Sequence, residues 1–235
     1  MTKGGARMQP FEAVLFDVDG TLWDSLPAVT PGIADIVEQF AGIRPSDASI
    51  HAYIGIPLRD QLPLYPGVPD DAAVVERMCS LATERFERYA HLERPFSATI
   101  AALEWVHRAG IKTALVTSKS RPELEFFLPR FSASRYVDAI VSASDVPRPK
   151  PAPDSALLAC QRLGVSPDRA VMIGDSVYDL RCAKAAGVVA VAVTYGAGQP
   201  DALHAEQPDF ILPTPETVFE WVQHQLTPDL CLARK

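Results

Sequence analysis

The stretch Arg108-Ala-Gly110-Ile111-Lys-Thr-Ala-Leu-Val116-Thr117 carries the pattern that decides the fold: a helical stretch ends, a glycine follows, and a short apolar, β-branched run begins. The same step recurs at Leu163-Gly164-Val165 before Ala170-Val-Met-Ile-Gly174, and at Ala186-Gly187-Val188 before Val189-Ala-Val-Ala-Val-Thr194. Glycine one residue past a helix end accepts the left-handed backbone needed there. Continuous apolar runs, rather than alternating ones, suit strands covered on both faces, as in a parallel sheet. With Ala13-Val-Leu-Phe16, Ala139-Ile-Val141 and Phe210-Ile-Leu212, the pattern predicts about six strands with helices between them, an α/β fold with a doubly wound, mainly parallel sheet.

Residues 24–95 break the rhythm, with apolar positions at helical spacing instead. Val29, Ile33, Ile36, Val37 and Phe40 share one face, as do Val75, Cys79, Ala82, Phe86 and Tyr89. Glu84 and Arg88 form a favourable pair four apart on the solvated side. The expected organisation is a discontinuous core, 11–23 and 96–226, with an inserted helical cap at 24–95. Residues 1–10 and 227–235 are expected to be flexible termini.

The 235 residues, 48% hydrophobic and 22% charged, suit a globular chain large enough for a core without staples. A net charge of −7 and the lack of a basic run argue against a nucleic-acid partner. Cys79, Cys160, Cys182 and Cys231 show neither Cys-x-x-Cys nor metal spacing, as expected of idle thiols in a reducing compartment. No run approaches a membrane span, and residues 1–10 hold two cations but no apolar signal core, so a cytoplasmic location is expected. The five histidines form no triad or His-Glu-x-x-His and are assigned to surface or structural places. Gly196-Ala-Gly198 lacks the third glycine of a dinucleotide fingerprint, and no Gly-x-x-x-x-Gly-Lys-Ser/Thr loop exists.

Ligands of open α/β sheets bind beyond the carboxyl ends of the strands. The first strand runs into Asp17-Val-Asp19-Gly20-Thr21, whose two acids would point one way on an extended chain. Alone, this is as readily an Asp-Gly turn. Ile173-Gly174-Asp175-Ser176-Val-Tyr-Asp179 ends another strand, with Asp175 expected to cap the next helix and Asp179 one turn on. Four carboxylates in one crevice would repel one another unless a cation sits among them. Hard oxygen donors suit Mg2+, which commonly pairs carboxylates with a substrate phosphate. Thr117-Ser118-Lys119 offers a hydroxyl and backbone donors at a third strand end. Pro147-Arg-Pro149-Lys150-Pro151-Ala-Pro153 is expected to be extended and to hold Lys150 in place.

In order, Asp17-x-Asp19-Gly20-Thr21, Thr117, Lys150 and Gly174-Asp175-Ser176-x-x-Asp179 resemble the four motifs of the haloacid dehalogenase-like hydrolase superfamily. The likeness spans roughly residues 12–212. Asp24-Ser-Leu-Pro27, the helical insert and Lys150-Pro-x-Pro-Asp154 resemble its capped subfamily of phosphoglycolate phosphatases, pyrophosphatases and β-phosphoglucomutases. The resemblance implies a Rossmann-like sheet, with Asp17 as nucleophile and Asp19 as general acid and base. It implies Mg2+ on Asp17, the backbone carbonyl of Asp19 and Asp175, and transferring oxygens held by Thr117, Ser118 and Lys150. Asp179, Gly20 and Thr21 would support the site, Asp179 by orienting Lys150 or a metal-bound water. Arg59 of the Gly55-Ile-Pro-Leu-Arg59 loop would contact the leaving group.

The acid at Asp19 argues against dehalogenation and phosphonate hydrolysis. The mutases carry a histidine twelve residues past the nucleophile, where this chain has Val29. The expectation is a phosphatase for a small metabolite such as phosphoglycolate or a sugar phosphate, or for pyrophosphate, acting as monomer or homodimer. A phosphosugar mutase and a non-catalytic binding protein on the same fold are the alternatives.

Overall fold

The computed structural model describes residues 11–226. The sequence expectations for 1–10, 227–235 and Cys231 lie outside the described residues. Six parallel strands form one sheet: β1 (Ala13–Phe16), β4 (Lys112–Val116), β5 (Ala139–Val141), β6 (Ala170–Gly174), β7 (Val189–Val193) and β8 (Phe210–Leu212). The remaining strands, β2 (Trp23–Asp24) and β3 (Arg94–Pro95), pair antiparallel with each other.

The sheet order is β5-β4-β1-β6-β7-β8. From β1 the chain winds outward through β4 to β5, then returns to the other side of β1 and winds out through β6, β7 and β8. This reversal beside β1 opens a crevice at the strands' carboxyl ends. Successive β1 side chains enter opposite layers, as a pleated strand requires. Val14 and Phe16 join a core with Leu103 and Val106 of α5 (Ser97–Arg108) and Trp221 of α10 (Pro215–Leu226). Ala13 and Leu15 join a second core with Ala156 and Ala159 of α7 (Asp154–Leu163) and with Leu180 and Ala183 of α8 (Val177–Ala186). Helices α7 and α8 end on Gly164 and Gly187, both left-handed, as the glycine-then-strand pattern requires.

A third core lies among the helices between β2 and β3. Helix α1 (Leu26–Ala41) packs on α4 (Ala72–Tyr89), burying Ile33, Ile36 and Val37 against Val75, Met78, Ala82 and Phe86. Short helices α2 (Asp47–His51) and α3 (Leu58–Gln61) close it with Ile50, Leu58 and Leu62. Of the faces predicted from spacing, Ile33, Ile36, Val37, Val75, Ala82 and Phe86 are buried, Val29, Phe40 and Cys79 are half-buried against them, and Tyr89 is half-buried outside this cluster. The β2–β3 ladder, absent from the sequence expectation, ties together the two chain crossings into this helical unit.

Two local expectations are corrected. Helix α8 is capped by Ser176, not Asp175: the Ser176 hydroxyl accepts from the Asp179 amide while the Asp179 carboxylate accepts from the Ser176 amide. That reciprocal arrangement leaves Asp175 free for other partners. The proline-rich stretch turns rather than extends, because the Ala152 amide donates to the Pro149 carbonyl at 3.0 Å and folds the chain back. Lys150 is buried all the same.

Candidate active site

Three strand ends and one turn meet in the crevice. Asp17 follows β1, Thr117 follows β4, Asp175 follows β6, and Lys150 enters from the turn before α7. All four side chains are buried, as is Asp179 in the first turn of α8.

Lys150 Nζ donates to Asp17 Oδ1 at 2.7 Å, to Asp179 Oδ1 at 2.6 Å and to the Val116 carbonyl at 3.2 Å. Its three protons are therefore all engaged. The other Asp179 oxygen accepts from the amide and hydroxyl of Ser176, so Asp179 fixes Lys150 and the start of α8 together. Gly174 gives it room, since a Cβ there would overlap the Asp179 side chain. Burial opposes the charge on Lys150, but Asp17 and Asp179 outweigh it and hold the ammonium well above its ordinary pKa.

Carboxylate oxygens of Asp17, Asp175 and Asp179 lie within 4.8 Å of one another. Burial pushes the Asp17 acid up to about 7, against the lowering effect of Lys150 and with further upward pressure from Asp179 and Asp19. Burial and the charges of Asp17 and Asp179 likewise raise Asp175 well above the carboxylate range, with the Ala197 amide and Lys150 pulling it down. Asp175 Oδ2 accepts from that amide at 2.6 Å, and Oδ1 accepts a long bond from the Thr21 hydroxyl, at 3.5 Å. Gly20, at φ +78°, and Gly196 press on the same carboxylate: a Cβ on either would overlap Asp175 Oδ2. Three buried carboxylates around one ammonium, with an Asp175 oxygen weakly engaged, fit a hard divalent cation.

Asp19 lines the same crevice but has a different cation as its partner. Lys119 Nζ stands 2.8 Å from both Asp19 oxygens, beside the ring of Phe127. Burial opposes the Lys119 charge, yet Asp19 and Glu123 together raise its pKa. No motif or spacing in the sequence singles out Lys119 for this place. Thr117 Oγ1 accepts from the Lys119 amide at 3.2 Å. Ser118 Oγ donates to the Gly55 carbonyl at 2.6 Å, joining this strand end to the helical unit. The Gly196-Ala197 turn, set aside as a nucleotide fingerprint, supports Asp175 instead; its signal was a glycine pair just past an apolar strand.

Arg59 does not line the crevice. Its guanidinium is exposed and bound to Glu76 of α4. Helix α4 supplies the acid that draws it outward.

The family model described as haloacid dehalogenase-like hydrolase matches residues 14–193, most of the chain. The chain is a haloacid dehalogenase-like hydrolase. Among relatives of this hydrolase, phosphoglycolate phosphatase 1 of Pseudomonas aeruginosa is 28% identical over 204 residues, which cover 85% of this chain and 75% of that protein. Pyrophosphatase PpaX of Bacillus velezensis is 27% identical over 201 residues, covering 85% and 91%. The crystal structure of a hydrolase from Pseudomonas syringae superposes with a TM-score of 0.82 at 22% identity, over 92% of this chain and 99% of that one, and shares the fold. Among the described residues of the hydrolase, no helix is long and apolar enough to cross a membrane.

Proposed function

We propose that this hydrolase is a Mg2+-dependent phosphatase of small phosphate esters, working through an aspartyl-phosphate on Asp17. The observation that carries the reading is the Lys150 ammonium, locked between Asp17 and Asp179 at 2.7 and 2.6 Å at the sheet's reversal point. It holds one Asp17 oxygen and leaves Oδ2 for attack on phosphorus.

Asp17, the Asp19 backbone carbonyl and Asp175 would hold Mg2+, with Asp179 acting through Lys150. When bound, the ion offsets the repulsion between a carboxylate nucleophile and a phosphate dianion. Asp17 Oδ2 forms the bond to phosphorus as the ester oxygen leaves, taking a proton from Asp19. Asp19 then removes a proton from a water that attacks the same phosphorus, giving inorganic phosphate and restoring Asp17. Thr117 and the Ser118 backbone amide steady the transferring oxygens, joined by Lys150 as its longest bond, 3.2 Å to the Val116 carbonyl, gives way to substrate.

Residues 24–95 act in this reading as a cap over a core of 11–23 and 96–226, admitting small molecules and excluding polymers. The enzyme is placed in the cytoplasm as a monomer or homodimer. Val29 lines the crevice where a phosphosugar mutase carries its histidine, and an apolar side chain there offers no proton. The test is inorganic phosphate release from small esters and pyrophosphate, with Mg2+ and with chelator. Release that chelation abolishes supports the reading; folded protein that releases none contradicts it.

A further inference from the structure

We infer that the alcohol released by this enzyme is neutral, with an apolar carbon face and a second hydrogen-bonding group such as a hydroxyl; a leaving group bearing a carboxylate or another phosphoryl is disfavoured. The inference rests on the phosphatase reading and narrows it.

Beyond Asp17 and Asp19 the crevice wall is built by Val29, Ile33, Ile54, Ile56, Leu58 and Phe86, all from the helical unit. That unit places no charged side chain on the wall. Its amide, Gln61, gives its Nε2 protons to the Tyr65 hydroxyl at 2.7 Å and to the Ile50 carbonyl. Apolar carbon seated here leaves water for an apolar wall.

The cations nearby are already paired. Lys119, on the wall, is matched by both oxygens of Asp19 and faces the charge of Glu123, whose carboxylate also lines the crevice. An adjoining recess shared with Val29, Phe86 and Lys119 holds Arg130, but Arg130 is bound to Glu93 at 2.5 Å and stacked over Phe126 at 4.0 Å. An anionic leaving group would have to strip a carboxylate from its cation, exchanging one pair for another and leaving that carboxylate unpaired in a partly desolvated place.

Ser25 supplies the polar requirement. It lies at the N-cap position of α1, where a serine oxygen ordinarily accepts a backbone N–H, yet it makes no such bond. Its hydroxyl is buried and has no partner among the described residues, and the residue lines the crevice. A hydroxyl both donates and accepts, so it matches an alcohol better than it offsets an anion's charge.

The experiment compares kcat/KM for three esters with alkyl leaving groups: 3-hydroxypropyl phosphate, propyl phosphate and 3-(phosphonooxy)propanoate, with p-nitrophenyl phosphate as a general phosphatase substrate. The neutral hydroxypropyl ester should exceed the carboxylate ester by at least about tenfold, since like-charge juxtaposition is costly. Ser25→Ala should bring the hydroxypropyl-to-propyl ratio down toward one. Ile56→Arg should shrink the preference for the neutral ester. Each readout is a ratio within one protein sample, so partial misfolding cancels. A carboxylate ester turned over as well as or better than the neutral one overturns the inference while phosphatase activity stands. A hydroxypropyl-to-propyl ratio that Ser25→Ala leaves unmoved overturns the hydroxyl requirement. Failure to hydrolyse any of the four, p-nitrophenyl phosphate included, overturns the phosphatase reading and this inference with it.

Discussion

Lys119 Nζ sits equidistant, at 2.8 Å, from the two carboxylate oxygens of Asp19, a residue 100 positions away in the chain. The pair bridges the ends of β1 and β4 and fixes the orientation of the carboxylate assigned to proton transfer. Lys119 acts through Asp19 rather than on the substrate, which makes it a positioning residue. Lys119→Met should lower kcat by about 10–100-fold, part of the 10²–10⁴-fold usual for general acid–base catalysis, with a smaller change in KM. Lys119→Arg, which keeps a cation beside Asp19, should restore part of the rate. Steady-state kinetics read both effects.

Gly196 is expected to govern metal affinity without offering a ligand. An added methyl would overlap Asp175 Oδ2 and crowd the Gly20 carbonyl, pushing the carboxylate off the position that the Ala197 amide holds. Changes to groups that orient ligands typically cost about 10–100-fold in metal affinity. A Mg2+ titration of Gly196→Ala should show half-maximal activity at a concentration raised by that factor, and saturating Mg2+ should recover much of the rate.

Gly32 sets the closeness of α1 and α4. A Cβ there would stand 2.6 Å from Phe86 Cδ1, in a core where Phe86 is 7% exposed and has little room to retreat. Alanine gains about 1 kcal/mol over glycine inside a helix. Overpacking costs about 1–3 kcal/mol, so the clash wins. Gly32→Ala should lower the unfolding midpoint by about 2–4 °C, measured by calorimetry. Because Phe86 also lines the crevice, KM should rise as well.

The six-stranded sheet was legible because β1, β4, β6 and β7 are continuous apolar runs, the last three announced by a glycine, a local signal. The crevice followed from it, since Asp17, Thr117 and Asp175 each stand directly after such a run. Side-chain direction beyond a strand end carries no comparable signal, so nothing in the order Thr117-Ser118-Lys119 aims the lysine at Asp19. The direction of Arg59 is hidden for the same reason: Glu76, 17 positions on, becomes its neighbour only after α3 and α4 pack. The α8 cap could have been assigned from Ser176-x-x-Asp179, whose spacing favours the serine over the aspartate before it. The ladder joining Trp23-Asp24 to Arg94-Pro95 is too short to leave a periodicity.

Attack of Asp17 on phosphorus is tested by phosphate release from p-nitrophenyl phosphate with Mg2+, measured side by side for wild type and Asp17→Asn. Asparagine keeps the shape while removing the nucleophilic oxygen charge, and kcat should fall by at least about 10³-fold, as for nucleophile removal elsewhere. An Asp17→Asn protein that is folded and turns over at a rate comparable to wild type would contradict it.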